Sequence, residues 1–253
     1  IGISIPGIYK GNEDLIIDST NSFWEGINLK KELVNRLSLP VYIENDANLA
    51  AYYEYCYGLG QGYSNLIYVH MGEGIGGGII INGQLYTGSH GNGGEIGHIR
   101  VKASGSKCQC GGTGCLETVA SLNAITEEVD KRLAKGEKSL LHDFGKGPYD
   151  LDVLISAYQR NDYLIRYVVD EAVKHLINGI SSLANIFDPD LIIIGGFIND
   201  FDKDLPEMIE NRLAEICYQN IASDLKVVRG TIRESGQLFA VAAYVFDKWK
   251  LKI

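Results

Sequence analysis

The chain has 253 residues, of which 45% are hydrophobic and 22% are charged, and its formal net charge is −9. This length allows one large domain or two smaller lobes with a sizeable core. No uninterrupted apolar run reaches about 18 residues, which excludes a membrane span, and an acidic chain without basic clusters is unsuited to grip nucleic acid by itself.

Runs of apolar and β-branched residues predict strands, and apolar residues three or four positions apart predict helices. The strands are expected at residues 1–5, 40–44, 66–71, 77–81, 191–194 and 225–228. The helices are expected at residues 29–37, 46–57, 117–134, 162–187, 205–216 and 235–249. Because strands alternate with helices, the predicted fold class is α/β with parallel or mixed sheets.

The chain opens on strand-like sequence at Ile1, and nothing near it resembles a signal peptide. We therefore expect the chain to begin inside a longer protein. We also expect that protein to be cytoplasmic. A boundary is expected near Asp46, with residues 1–45 forming part of a first α/β lobe and residues 46–235 forming a larger one. The C-terminal helix, within residues 236–253, is expected to return and complete the first lobe.

Three cysteines lie close together in a glycine-rich segment, spaced as Cys108-x-Cys110-x4-Cys115. Thiols at this spacing suit a tetrahedral zinc ion, and the glycines let the backbone fold tightly around it. His98, upstream of the three, is the best-placed fourth ligand. The alternatives are three reduced cysteines that only pack, or a strained disulfide.

The segment Glu44-Asn45-Asp46-Ala47-Asn48 follows a predicted strand, where ligands bind in α/β sheets. A carboxylate at this place, such as that of Asp46, can accept a proton from a substrate hydroxyl. The alternative is that Asp46 or Asn45 is an ordinary N-cap of the helix that follows.

Residues 72–78, Gly-Glu-Gly-Ile-Gly-Gly-Gly, join two predicted strands. Glycines at this place let backbone amides converge on phosphate oxygens. A hairpin turn with positive φ angles explains the same glycines without a ligand. The pattern is neither a Walker A loop nor a Rossmann fingerprint, because no helix follows it, and Glu73 adds a negative charge where phosphate would lie.

Two glutamates flank the candidate zinc ligands, because Glu95 precedes His98 and Glu117 follows Cys115. A metal that holds this loop would bring the two carboxylates close together. Paired carboxylates beside an Asn-Asp sequence suit a polyol such as a sugar, whose hydroxyls need fixed acceptors. The alternative for each glutamate is a solvated surface charge.

These motifs, in this order, resemble the ROK family, which contains repressors, open reading frames of unknown role and sugar kinases. The resemblance rests on residues 44–48 and 72–78, on Gly93-Gly-Glu-Ile-Gly-His98 and on Cys108-x-Cys-Gly-Gly-Thr-Gly-Cys-Leu-Glu117, and it covers essentially the whole chain. It implies an actin-like, ribonuclease-H-like fold with two lobes and a sugar in the cleft between them.

The resemblance also implies roles for particular residues. Asp46 would be the catalytic base that activates a sugar hydroxyl. The residues that would contact the sugar are Gly7, Asn21, Asn45, Asp46, Glu95, His98 and Glu117. The ligands of a structural zinc ion would be His98, Cys108, Cys110 and Cys115. The residues next to a bound nucleotide would be Gly72, Gly74, Gly76, Gly195 and Gly196.

The chain departs from the family's kinases in two ways. It starts after their N-terminal Asp-x-Gly-x-Thr phosphate hairpin, and it has Glu73 where they usually have threonine. A carboxylate at this position repels the γ-phosphate of a nucleotide.

We therefore expect the sugar-sensing effector domain of a transcriptional repressor, forming a homodimer or a larger homo-oligomer. It would contact DNA only through a domain outside this chain, and it would have no membrane partner. The alternative is a kinase of hexoses or N-acetylhexosamines that uses ATP and Mg²⁺, and the retained Asp46 favours it.

Overall fold

The structure is a computed structural model that describes residues 1–11, 13–19, 26–145, 147–232 and 236–250. Asn21, which was predicted to contact sugar, lies outside the described residues. So do the predicted first residue of the last helix, Ser235, and residues 251–253.

The strands and helices are numbered in chain order. The strands are β1 (Gly2–Ile5), β2 (Gly7–Lys10), β3 (Leu15–Ser19), β4 (Tyr42–Asn45), β5 (Leu66–Met71), β6 (Ile75–Ile81), β7 (Gln84–Leu85), β8 (Leu191–Gly196) and β9 (Lys226–Arg229). The helices are α1 (Leu29–Leu37), α2 (Asp46–Tyr57), α3 (Glu117–Ala120), α4 (Leu122–Ala134), α5 (Leu151–Gln159), α6 (Tyr163–Phe187), α7 (Ile198–Phe201), α8 (Leu205–Ile216), α9 (Gln219–Ala222) and α10 (Gly236–Lys250). Short 3-10 turns occupy Ile96–His98 and Leu140–Phe144.

The predicted bounds of α1, α2 and α8 are confirmed. The single helix predicted over residues 117–134 is wrong, because the chain is extended at Ser121 and divides it into α3 and α4. The Ser121 hydroxyl accepts a hydrogen bond from the Ala124 amide at 3.2 Å, which starts the second helix with its own N-cap. The hairpin of β2 and β3 and helix α5 were not predicted.

Within the described residues, five strands form the main sheet in the order β7-β6-β5-β8-β9. Strand β5 is antiparallel to β6 and parallel to β8, and β8 is parallel to β9. The α/β prediction with a mixed sheet is therefore confirmed. Alternate residues of β5 face opposite sides: Ile67 and Val69 belong to the large core that contains α6, whereas Leu66 and Tyr68 pack with Ala50 of α2.

Strand β6 lets helix α2 lie against the backbone of the sheet. A Cβ atom built on Gly76 would lie 2.9 Å from the Cβ of Ala47, and one built on Gly78 would lie 2.5 Å from the Cβ of Ala51. Since real Cβ atoms do not approach this closely, only glycine fits beneath the helix at this separation. The first turn of α2 therefore lies at the carboxyl end of β5.

The N-terminal strands and the last helix pack together. Strands β1 and β4 are parallel neighbours. Ile5 of β1 and Ile43 of β4 form a buried cluster with Ile16 of β3. Helix α10 covers β1 and α2, where the Tyr52 hydroxyl donates to Asp247 at 2.9 Å. In the described part of the chain, no helix combines the length and apolarity that a membrane crossing needs.

Substitution of Gly78 by alanine tests the close approach of α2 to the sheet. The added methyl group overpacks this contact, so the free energy of unfolding should fall by about 1–3 kcal/mol in urea denaturation. Gly11→Ala is the matched control, because a Cβ atom there would meet its nearest neighbour, in Tyr9, at an ordinary 3.7 Å. Equal stability of the two variants would contradict the constraint.

Candidate functional site

The candidate site lies where strand β4 ends and helix α2 begins. Asn45 is the N-cap of α2: its Oδ1 accepts from the amides of Ala47 at 2.9 Å and Asn48 at 3.0 Å, and its Nδ2 donates to the Gly7 carbonyl at 3.0 Å. The capping role considered for Asn45 or Asp46 therefore falls mainly on Asn45. This leaves Asp46 as a first-turn carboxylate at the end of the sheet.

The Asp46 carboxylate is half-buried, and its Oδ1 accepts from the Ala47 amide at 2.8 Å. Burial raises the pKa of Asp46, while the hydrogen bond from Ala47 and the nearby His70 imidazole act in the opposite direction. A carboxylate with raised proton affinity is suited to accept a proton from a bound hydroxyl group.

Two polar residues close to Asp46, Glu44 and Asn48, were not predicted to belong to the site. The Glu44 carboxylate accepts from the Asn45 amide and from Asn48 Nδ2, both at 3.0 Å, and from the Tyr244 hydroxyl at 3.2 Å. Asn48 is 4% exposed, and its Oδ1 has no hydrogen-bond partner within the described residues. The signal in the sequence was their place in the same five-residue segment as Asp46.

The loop that carries Glu95 and His98 lies on the other face of β6. A side chain on Gly77 would clash with Ile96, and a side chain on Gly97 would clash with the backbone of β6. The loop is therefore held in direct contact with the strand. It places His98 Nε2 at 3.8 Å from the Glu95 carboxylate.

The structure brings together the four predicted metal ligands His98, Cys108, Cys110 and Cys115, with their ligand atoms all within 4.8 Å of one another. The distance from His98 Nδ1 to Cys108 Sγ is 3.5 Å, and the distance from Cys110 Sγ to Cys115 Sγ is 3.7 Å. A tetrahedral ion with bonds of about 2.3 Å to sulfur and about 2.0 Å to nitrogen has edges of about 3.5–3.8 Å. The donor set therefore fits a metal ion.

The disulfide alternative is wrong, because all five cysteines are free. Burial raises the pKa of the Cys115 thiol to about 12, so a bound cation is what would hold this group as a thiolate. His98 can serve both proposed roles, since its Nδ1 faces the thiols while its Nε2 faces Glu95.

Glu117 connects the cysteine segment to the glycine turn between β5 and β6. Its Oε2 accepts from the Ile75 amide at 3.0 Å, and a Cβ atom on Gly74 would lie 2.5 Å from the same oxygen. The Leu122 amide donates to the Gly72 carbonyl at 2.9 Å. The segment that follows the cysteines therefore holds the turn at both ends.

Packing accounts for two further glycines that were predicted to lie near a nucleotide. A side chain on Gly195 would clash with the Tyr68 hydroxyl, and a side chain on Gly196 would clash with the Met71 carbonyl. Both glycines thus allow β8 to lie against β5, so a role in nucleotide binding is a separate proposal.

Comparison with known proteins identifies one family, and the similar proteins include both kinases and repressors. The ROK family model matches residues 1–245. A glucokinase of Halalkalibacterium halodurans is 35% identical over 88% of this chain and 68% of its own length. A putative xylose repressor of a Caldicellulosiruptor species is 34% identical over 90% of this chain and 59% of its own length.

The similar solved structures also include both a transcriptional regulator and a sugar kinase. A ROK family transcriptional regulator, described as a homologue of the Escherichia coli MLC protein, has a TM-score of 0.83 and 29% identity, over 94% of this chain and 60% of that one. A ROK family glucokinase from Streptomyces griseus, in complex with glucose and AMPPNP, has a TM-score of 0.81 and 29% identity, over 96% of this chain and 80% of that one. The predicted actin-like fold of the sugar kinases is confirmed.

Substitution of Glu117 by alanine tests its grip on the glycine turn. The Ile75 amide loses its acceptor, so the free energy of unfolding should fall by about 1–3 kcal/mol. Glu117→Gln keeps an acceptor oxygen and should lose less. The control is Glu127→Ala, which removes an exposed pair with Lys131 and should cost at most about 1 kcal/mol. Denaturation in urea measures all three, and a Glu117→Ala variant as stable as the control would refute the contact.

Proposed function

This chain is a member of the ROK family, and from that premise we propose that it is the sugar-binding effector domain of a ROK transcriptional regulator. The sugar, a hexose or a related compound, would lie against Asp46. The observation that carries the choice of a regulator is the glycine turn between β5 and β6, which presents an exposed carboxylate, Glu73, where a kinase must accommodate phosphate.

Sugar binding is supported by the kind of polar groups around the carboxyl end of β5. The groups are the Asp46 carboxylate, the Asn45 amide, the Glu95 carboxylate and His98 Nε2, which together offer fixed donors and acceptors to the hydroxyls of one small ring. Glu117 would reach the same ligand with the carboxylate oxygen that does not bind Ile75. The names of the relatives, glucokinases and xylose repressors, support the same ligand class.

The turn itself is poorly equipped to hold phosphate. The Gly72 amide donates to the Gly74 carbonyl at 2.9 Å, and the Ile75 amide is held by Glu117. A nucleotide would meet the negative charge of Glu73 at this point, and repulsion between two such charges near a surface costs on the order of 1 kcal/mol or more.

The regulator would act through sugar-dependent movement of its lobes, with residues 1–45 and α10 on one side and residues 46–235 on the other. A sugar that contacts both sides stabilises one relative arrangement. The chain spans about 60% of the repressor and regulator that it resembles. DNA binding by a further domain, homo-oligomerisation and a place in the cytoplasm are parts of this proposal.

A kinase is the second candidate, and the retained Asp46 favours it. In that reaction Asp46 would accept the proton of the sugar hydroxyl while the hydroxyl oxygen bonds to the γ-phosphorus of ATP. The bond from that phosphorus to the β–γ bridging oxygen would break and release ADP, and bound Mg²⁺ would offset the phosphate charge. Gly72, Gly74 and Gly76 would face the phosphates. Gly195 and Gly196 would lie near the adenosine.

We also propose that the four-ligand cluster holds a structural zinc ion. Bound zinc supplies no chemistry to the reaction. It would fix the loop so that His98 Nε2 and Glu95 face the sugar, and it would fix Cys115 close to Glu117. A reducing compartment keeps such thiols available to the metal.

Metal analysis of the purified protein tests the zinc proposal, with an expected content of about one zinc per chain. The Cys110→Ser variant should lose most of its zinc, and its sugar affinity should fall because the loop that carries Glu95 loosens. Cys56→Ser is the control, because this thiol lies in helix α2. A well-folded wild-type protein without metal would contradict the proposal.

A panel of hexoses, titrated calorimetrically and then assayed with ATP and Mg²⁺, tests the choice between regulator and kinase. We expect one sugar to bind and no transfer at ordinary kinase rates of about 1–100 per second. The Glu73→Thr variant should bind ATP more tightly than the wild type, because it removes the repelling charge. Transfer at kinase rates by the wild type would overturn the regulator, and Asp46→Asn should then abolish turnover while retaining sugar affinity.

A further inference from the structure

His70 is a half-buried side chain that neither proposed function uses. Strand β5 presents Leu66, Tyr68 and His70 to the same side, and the first two pack with the alanines of α2. His70 therefore lies on the α2 side of the sheet, at its carboxyl end. The first turn of α2, which carries Asp46, lies at the same end.

The strands on both sides of His70 contribute no side chain beside it. Its cross-strand neighbours are Gly76 in β6 and Gly195 in β8. Ala47 lies directly over Gly76, because a Cβ atom on that glycine would be 2.9 Å from the Ala47 methyl group. His70 is thus flanked in the sheet by glycines on both sides. It lies near Ala47, the helix residue that follows Asp46.

The orientation of the ring is set by Tyr68. The two rings stack at an interplanar angle of 19°, and the Tyr68 hydroxyl lies 3.4 Å from His70 Nδ1. Burial strongly raises the pKa of Tyr68, so the hydroxyl keeps its proton and can donate it to Nδ1. His70 Nε2 lies on the side of Gly72, where a Cβ atom would be 3.1 Å away. Such a hydrogen bond would place the proton of neutral His70 on Nε2.

Among the residues that the structure describes, few charged groups lie around His70. Helix α2 presents Asp46, β5 presents Tyr68, and β6 and β8 present glycines. Glu54, which lies near Tyr68, accepts hydrogen bonds from the amide and the hydroxyl of Thr231. Burial lowers the pKa of His70 and Asp46 raises it, whereas burial raises the pKa of Asp46 and His70 lowers it.

We propose that His70 is a positioning residue that acts through Asp46, holding its carboxylate charged in a site whose burial favours the neutral acid. The pairing of His70 with Asp46 does not depend on the proposed function. Its effect on ligand binding rests on the proposal that a sugar contacts Asp46. As the pH falls, a proton taken up by His70 places a positive charge near Asp46, whose carboxylate stays charged and can still accept a hydrogen bond from a sugar hydroxyl. Without His70, Asp46 takes that proton itself at a higher pH, and binding is lost there.

The first experiment needs no ligand. The imidazole resonances of the free protein are followed by NMR during a pH titration of the wild type and of Asp46→Asn. Loss of the facing carboxylate should lower the pKa of His70 by about one unit. The exposed His90 and His142 serve as internal controls and should keep their titration midpoints. An unchanged His70 midpoint would overturn the pairing.

The second experiment measures sugar affinity against pH, using the sugar that the panel identifies. In the wild type, binding is lost as Asp46 is protonated. In His70→Phe and His70→Gln that loss should begin about one pH unit higher, because neither side chain can become positively charged. His142→Phe is the control and should match the wild type. If both His70 variants lose sugar affinity over the same pH range as the wild type, the proposal is overturned. If no sugar binds at any pH, the proposed function is refuted and the NMR titration alone decides whether His70 and Asp46 are paired.

Discussion

The candidate site depends on how closely two segments approach strand β6 from opposite faces. Gly76 and Gly78 let helix α2 lie against one face, and Gly77 lets the loop of residues 93–98 lie against the other. Any side chain at these positions would separate the layers, because protein interiors leave no space for a methyl group. Asp46 is the first residue of α2, and Glu95 and His98 belong to the loop on the opposite face. Strand β6 therefore brings these side chains to the same end of the sheet.

Hydrogen bonds then fix the loop that this packing has placed. The Leu116 amide donates to the Ile99 carbonyl at 2.8 Å, so the two ends of the cysteine segment run side by side. The four-ligand cluster lies at the base of this closed segment. Glu117 follows at once and holds the Ile75 amide at the start of β6. The cysteine cluster, the glycine turn and the sheet end are thus connected through contacts only a few residues apart.

Local signals explain why much of the fold was predictable. Helix α2 starts after an Asn N-cap, and α6 starts after Asp162, whose carboxylate accepts from the Ile165 amide at 2.9 Å. Such caps and apolar periodicity act within a few residues and can be read from the chain itself. The division at Ser121 was not predicted, since the break occurs inside a continuous helical pattern. The hairpin of β2 and β3 was not predicted either.

The sequence by itself determined the α/β class, the family and the set of residues that can ligate a metal, because these follow from local spacing and residue type. Only the tertiary structure decided how those residues are used. It joined the Asn45 side chain to the Gly7 carbonyl, gave one oxygen of Glu117 to the Ile75 amide and set His70 near Asp46. These pairings join residues far apart in the chain, and they depend on strand register and on backbone separations that no local pattern encodes.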